Sequence, residues 1–281
     1  METISSAAAL RQRFLREGAI AFVPTMGNLH AGHLELVRIA REQGGCVVVS
    51  IFVNPLQFGP GEDFDEYPRT LAADCEKLAG LADVVFAPAV AEMYPEQQTL
   101  FVEPPPMAND LCGAFRPGHF RGMATVVLKL FNLVQPQVAV FGKKDYQQLA
   151  IIRQMVTQFN LPIAIVGAET ARAPDGLALS SRNQYLSAAE RAEAPRLYRT
   201  LQEAGRRLQA GEKNLEQIQA QAVKQLESNG WTGEYVAIRS QQGLAVPAGG
   251  EQNLVILAAA RLGATRLIDN IEVCLQPQAP I

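Results

Sequence analysis

Cysteine is scarce in this 281-residue chain, and its four copies, Cys46, Cys75, Cys112 and Cys274, are scattered with no Cys-x-x-Cys pair. That excludes a disulfide framework or a zinc ribbon and leaves reduced, packing thiols, so a cytoplasmic location is expected. Long apolar runs are missing too. The most apolar segments, residues 124–134 and 254–260, are too short or too interrupted to span a bilayer. The opening Met1-Glu2-Thr3-Ile4-Ser5 has neither the basic start nor the apolar stretch of a signal peptide. No charge sign dominates: 25 Lys and Arg against 28 Asp and Glu give −3. No global field therefore draws nucleic acid or a membrane, and an anionic ligand needs a local cluster of base. Three signature loops are absent as well: Gly-x-x-x-x-Gly-Lys-[Ser/Thr], Gly-x-Gly-x-x-Gly and Gly-x-Ser-x-Gly. The chemistry left open is basic groups and neutral donors around a polyphosphate, without a covalent intermediate on a side chain.

What is present is an ordinary globular balance, 48% hydrophobic and 19% charged. Residues 19–23, 46–52, 83–87 and 138–141 are short apolar runs rich in Val, Ile and Phe, the pattern of buried parallel strands. Between them lie helical patterns. Met123, Val126, Val127, Leu130, Phe131 and Val134 make one apolar stripe that stops before Pro136. Alternating strands and helices predict a doubly wound α/β layer with its ligands at the carboxyl ends of the strands. After about Pro174 the texture changes. Residues 187–208 and 214–228 read as amphipathic helices, and 234–239, 253–257 and 266–269 as short strands. A smaller α+β domain over 174–281 is expected to follow a first domain over 1–173, with the boundary in Arg172-Ala173-Pro174-Asp175-Gly176.

The strongest chemical signal is Pro24-Thr25-Met26-Gly27-Asn28-Leu29-His30-Ala31-Gly32-His33, followed by a helical pattern from Leu34. A strand, a glycine-bearing turn and a helix amino terminus together make an anion site. Gly27 and Gly32 admit a nucleotide close to the backbone, and His30 and His33 could donate to phosphate oxygens. Two other readings stay open here. The histidines could simply cap the helix, or they could join His119 of Arg116-Pro117-Gly118-His119-Phe120-Arg121-Gly122 on a zinc ion. The arginines flanking His119 argue for phosphate over a dication. At the end of the second strand, Ser50-Ile51-Phe52-Val53-Asn54-Pro55-Leu56-Gln57-Phe58 offers the amides of Asn54 and Gln57 for a hydroxyl or carboxylate, or is a polar loop turning at Pro55. Gly59-Pro60-Gly61-Glu62-Asp63 reads as a lid. Phe141-Gly142-Lys143-Lys144-Asp145-Tyr146-Gln147-Gln148 repeats the strand-turn arrangement. Lys144 could neutralise phosphate, Asp145 could hold ribose hydroxyls and Gln148 could face a polar substrate. Leu179-Ser180-Ser181-Arg182-Asn183 suits a phosphate clamp. Taken singly, the last two also suit a solvated cap and a surface loop.

Together these segments resemble the pantoate–β-alanine ligase (pantothenate synthetase) family, of the HxGH nucleotidyltransferase superfamily, over nearly the whole chain. Tyr67-Pro68-Arg69-Thr70 and the tail Ile256-Leu257-Ala258-Ala259-Ala260-Arg261-Leu262-Gly263, with Arg266-Leu267-Ile268-Asp269-Asn270, add to the resemblance. It implies a Rossmann-like parallel sheet with the small carboxyl-terminal domain closing over the site. It also implies condensation of pantoate with β-alanine through a bound pantoyl adenylate, with release of AMP and pyrophosphate. The cofactors implied are ATP, as substrate, and Mg2+ held largely by its phosphate oxygens, with no protein ligand assigned; the assembly implied is a homodimer, with no nucleic-acid or membrane partner.

Carried over residue by residue, the resemblance puts ATP against Met26, Gly27, Asn28, Leu29, His30, Ala31, Gly32, His33, Gly142, Lys143, Lys144, Asp145, Ala171, Leu179, Ser180, Ser181 and Arg182. It gives catalytic roles to His30, His33, Lys144 and Arg182, with His33 as proton donor. Pantoate and β-alanine fall to Gln57 and Gln148, an apolar wall of Met26, Val126 and Val127, and the bordering Asn54, Arg116 and His119. One departure stands out. Lys143 occupies a position where the family usually has an acid or amide, which implies extra positive charge beside the nucleotide. A nucleotidyltransferase making a dinucleotide-like product, and a nucleotide-sensing protein without turnover, remain the rival readings.

Overall fold

The structure, a computed structural model, describes residues 1–15 and 17–275. Its amino-terminal strands are β1 (Glu2–Ile4), β2 (Ile20–Thr25), β3 (Cys46–Ile51), β4 (Val84–Phe86), β5 (Val138–Gly142) and β6 (Ala164–Ala168). They form one parallel sheet in the order β1-β4-β3-β2-β5-β6. The helices of this layer are α1 (Ala7–Phe14), α2 (Ala31–Glu42), α3 (Leu71–Leu78), α4 (Val90–Met93), α5 (Cys112–Phe115), α6 (His119–Val134) and α7 (Tyr146–Gln158). Because strand side chains alternate in direction, each strand feeds two cores. Phe22, Val48 and Phe86 pack with Leu10 of α1, the α6 stripe and Leu149 of α7 on one face. Val23, Val47, Val49 and Val85 pack with Val37 and Ala40 of α2 and Leu78 of α3 on the other. Helix α6 ends as its sequence predicts. Gln135 turns into the left-handed region (φ 51°), its N–H reaches Phe131 O at 2.8 Å, and Pro136 cannot continue the ladder.

The sheet changes winding direction at β2, which has β3 on one side and β5 on the other. Strand β2 pairs with β3 along all six residues but with β5 only at Ala21–Val138 and Phe22–Ala139. Beyond that point the carboxyl ends of β2 and β5 splay, opening the crevice in which such sheets bind ligands.

The rest of the chain builds α8 (Ala188–Glu193), α9 (Arg196–Gln209), α10 (Leu215–Glu227) and the antiparallel meander β7 (Trp231–Ser240), β8 (Asn253–Leu262) and β9 (Thr265–Cys274). Leu197, Leu201, Ile218, Leu226, Ile256 and Val273 lie in a core of their own. The single helix expected over 187–208 is two, because Pro195 has no N–H to give to the ladder of α8. Strands β1 and β6 lie outside the four apolar runs of the sequence: the first is three residues long, and the second is interrupted by Gly167. All four cysteines are free thiols. Among the described residues no helix is long and apolar enough to cross a membrane.

Candidate active site

Two turns frame the crevice, one after β2 and one after β5. In the first, Gly27 (φ 83°) and Asn28 (φ 50°) reverse the chain so that His30 becomes the N-cap of α2. The Gly32 N–H donates to His30 Nδ1 (3.2 Å), and the His30 N–H donates to His33 Nδ1 (3.3 Å). An accepting Nδ1 carries no proton, so both rings hold theirs on Nε2. The cap reading and the anion-site reading are thus compatible: one nitrogen caps the helix while the other keeps its N–H. The rings lie 4.0 Å apart, centroid to centroid. Burial and then the charge of Lys144 push His30 down to about 4. Burial, His30 and Lys144 push His33 down to about 3. Both are neutral dipolar donors at pH 7.

His119 is also neutral. Burial and the charge of Arg116 lower it to about 4, its Nδ1 donates to Gln57 O (2.8 Å) and its Nε2 meets Arg116 Nη1 (3.1 Å). With both nitrogens engaged it cannot join His30 and His33 on zinc. Among the described residues no group of three or more His, Cys, Asp or Glu side chains is arranged to hold a metal ion.

Three histidines depressed from 6.5 make stability depend on pH with a definite sign. The unfolded chain takes up protons below 6.5 that the folded chain refuses until about 4 at His30 and His119 and about 3 at His33, so stability is full above 6.5 and erodes as pH falls between those limits. At pH 5 the loss is about 1–2 kcal/mol per ring, the lower figure applying to the more open His30. Urea unfolding at pH 7.5 and pH 5 checks this; an unchanged midpoint would contradict the assignment of neutral rings.

Two adjoining cavities fill the crevice. A smaller one, about 230 Å³, is lined by Met26, His30, His33, Gln57, Val126, Val127, Ala171, Leu179 and Ser181. A larger one, about 460 Å³, opens toward the second domain and reaches Tyr235 and Arg266. Arg116, His119, Lys144, Asp145, Gln148, Ser180 and Arg182 line both. Gly32 and Gly142 also border the smaller one.

Gln57 hangs from the Asn54–Gln57 turn, 8% exposed, its Oε1 accepting from Asn54 Nδ2 (3.1 Å) and its Nε2 facing Met26 Sδ (3.2 Å). Asn54 itself lines neither cavity. It is 1% exposed, donates to Gly122 O (3.2 Å) and accepts from Tyr94 Oη (2.7 Å), so it holds Gln57 and has nothing left for a ligand. Helix α6 can lie this close because residue 122 is glycine: a Cβ there would stand 1.9 Å from Leu56 O. Gly122→Ala should cost about 3 kcal/mol and displace Gln57; thermal melting together with a crystal structure of the variant checks both. Of the Gln147–Gln148 pair only the second lines both cavities; Gln147 borders the larger one and is 4% exposed. Gln147 is engaged by Met107 O, Asp110 O and the Cys112 N–H.

The second turn presents Lys144 and Asp145. Crowding raises the Asp145 carboxyl, but the charges of Lys144 and Arg182 outweigh it and hold it below its ordinary value. Lys143 departs from expectation: it lines neither cavity and pairs with Glu169 (2.5 Å), at the rim of the smaller one, and with Glu272 (2.7 Å) of β9, so its charge is already paired. The tail motif supports the same turn from behind, with Asn270 Nδ2 donating to Lys143 O and Lys144 O (both 2.9 Å) and Asp269 gripping Arg172 (2.7 and 2.8 Å). Gly27, Asn28, Leu29 and Ala31 likewise line neither cavity; they build the turn.

Both cleft arginines are held by acids of the lid segment. Glu62 takes Arg116 (2.8 and 2.5 Å) and Asp63 takes Arg182 (3.1 and 2.9 Å). Ser181 Oγ donates to Asn28 O (3.3 Å), and Tyr67, to which the sequence assigns no role, borders the smaller cavity beside it.

Comparison with known proteins agrees with this geometry. The family model Pantoate-beta-alanine ligase matches residues 1–272. Pantothenate synthetase from Methylobacillus flagellatus is 59% identical over 97% of this chain and 98% of its own length. The one from Neisseria meningitidis serogroup B is 57% identical over 98% and 100%. Among solved structures, the pantothenate synthetase of Thermus thermophilus superposes with a TM-score of 0.93 at 45% identity, covering 98% of this chain and 100% of that one. The pantoate-beta-alanine ligase of Francisella tularensis, solved with beta-gamma ATP and beta-alanine, gives 0.80 at 35% identity, covering 96% and 97%. With a parallel sheet wound about the β2–β5 crevice and a matching length from end to end, this chain belongs to the pantoate–β-alanine ligase family.

Proposed function

We propose that the ATP-dependent ligation of pantoate and β-alanine runs here in two half-reactions within the β2–β5 crevice. In the first, a pantoate carboxylate oxygen bonds to the α-phosphorus of ATP, the bond from that phosphorus to the bridging oxygen breaks, and pyrophosphate leaves. In the second, the neutral amine of β-alanine bonds to the carbonyl carbon of the pantoyl adenylate, AMP leaves with its oxygen, and the amine nitrogen loses a proton. The attacking carboxylate is already anionic, so the first step needs alignment and charge neutralisation rather than a base. His30 and His33 donate through Nε2–H to the phosphates. Lys144, Ser180, Ser181 and Arg182 face them from the opposite wall, and Asp145 takes the ribose hydroxyls. Gln57 and Gln148 grip pantoate, with Met26, Val126 and Val127 against its methyl groups and Arg116 and His119 at the border.

Arrival of a triphosphate gives Arg182 a competing anion and frees Asp63, so the lid's tie to the cleft responds to ligand charge. Mg2+ fits as a passenger of the phosphates, since Glu62 and Asp63 are committed to Arg116 and Arg182 and no group of three acids or histidines among the described residues is arranged to hold it; when bound it would neutralise phosphate charge. Residues 1–173 and 174–281 act as the two bodies that close on the substrates, and a cytoplasmic homodimer remains part of this reading.

The observation that carries the proposal is the convergence of two neutral imidazoles, an ammonium and a serine–arginine segment on one crevice beside a pocket with two amides and an apolar wall. Pyrophosphate release from ATP plus pantoate, without and then with β-alanine, tests it. A single-turnover burst followed by AMP release on adding β-alanine supports it. Release independent of pantoate, or none at all, overturns it.

A further inference from the structure

Asp74 of α3 lines neither cavity and is 0% exposed, yet its carboxylate is directed at the turn that leads into the two histidines. It accepts the N–H groups of Asn28 (2.9 Å) and Leu29 (2.8 Å) and the hydroxyl of Thr70 (3.0 Å). Lys77, one helical turn on, stands 3.8 Å from the carboxylate and donates to Leu29 O (2.7 Å). The segment so held is costly to form. Gly27 and Asn28 are both left-handed, and Asn28 carries a side chain in a region that disfavours one. Its N–H groups have left the β2 ladder and have not yet entered α2, so the buried carboxylate gives them their partners.

We infer that Asp74, braced by Thr70 and Lys77, is a positioning residue for adenylate formation. It fixes the turn between Gly27 and Leu29 and through it the direction of the His30 and His33 Nε2–H groups. This rests on the two-half-reaction reading above. The consequence is selective. Of the groups facing pantoate only Met26 adjoins this turn, while Gln57, Gln148, Val126 and Val127 are carried by other segments, so pantoate binding depends on Asp74 little, as does attack of an amine on an adenylate already formed. Asp74→Asn keeps the shape but turns an NH2 group toward one of the two backbone N–H donors, which forces the turn to shift.

The test uses the full chain and two variants, each checked for folding by circular dichroism and thermal melting. Asp74→Asn is expected to slow pyrophosphate release from ATP and pantoate about 100-fold, the scale of a misplacement near 1 Å. Pantoate affinity, and turnover of chemically supplied pantoyl adenylate with β-alanine, should stay within about threefold, too small a change for a lost aligned contact. Lys77→Met removes a partly exposed brace and should slow the same half-reaction about 10-fold and spare the other. If Asp74→Asn does not fold, Lys77→Met decides. Normal pyrophosphate release in a folded Asp74→Asn, or an equal fall in both half-reactions of the deciding variant, overturns the inference. A wild-type chain that releases no pyrophosphate with pantoate removes the reaction itself, a separate failure.

Discussion

Replacing Lys144 by Met will slow pyrophosphate release from ATP and pantoate by about 10²–10³-fold, the range found when a preorganised donor to a developing charge is removed. The structure says why this lysine outweighs its neighbours. Arg116 and Arg182 are already engaged by Glu62 and Asp63 at hydrogen-bonding distance, whereas Lys144 meets Asp145 only at 3.8 Å. Its side chain is 20% exposed and lines both cavities, so its charge is aimed and partly shielded from water. Its backbone is fixed independently by Asn270, so the substitution removes the ammonium without loosening the turn. Rapid-quench measurement of pyrophosphate together with a thermal melt checks both halves of the claim. A rate within threefold of wild type, or a collapse of the melt, would show that the ammonium is not the operative group.

His33→Ala should cost about as much, 10²–10³-fold in the same step, because it deletes a fixed Nε2–H donor. It should also cost about 1 kcal/mol of stability, since His33 Nδ1 accepts the His30 N–H at the start of α2. His33→Gln, with a neutral N–H donor of similar reach, should recover part of the rate. The neutral state makes a sharper demand. With its ring held near 3, His33 does not titrate in the free chain between pH 6 and 9, so kcat/KM for adenylate formation, which reports the free enzyme, should lack a step near 6.5. A pH profile that falls through 6.5 in wild type and loses that step in His33→Ala would mean that an imidazolium gives up a proton.

Much of this architecture is legible in the chain because the signals are local. The Val-rich runs of β2 to β5 are buried on both faces, and the α6 stripe meets a proline, so periodicity and punctuation coincide. The histidine turn is legible because strand, glycine and helix cap are contiguous in sequence. Partnerships that close across long stretches of chain are not. Asp74 is one acid in Ala72-Ala73-Asp74-Cys75-Glu76, and nothing beside it announces bonds to residues 45 and 46 positions away. Asn54 reads as a ligand amide until its four protein partners are seen, and Lys143 as a nucleotide contact until Glu169 and Glu272 claim it. The splay between β2 and β5 is a property of strand pairing that no single segment encodes. The resemblance supplied the pocket role of Val126 and Val127, which spacing alone assigns to the core; they serve both, closing the core cluster and facing the smaller cavity.

The central claim is that pantoate is activated as an adenylate in the β2–β5 crevice. It is tested most directly by running the full reaction with pantoate labelled with 18O in its carboxylate and analysing AMP, pyrophosphate and pantothenate by mass spectrometry. One labelled oxygen in the phosphoryl group of AMP, with none in pyrophosphate, is the predicted result. Label in inorganic phosphate or pyrophosphate, or AMP without label, would contradict it.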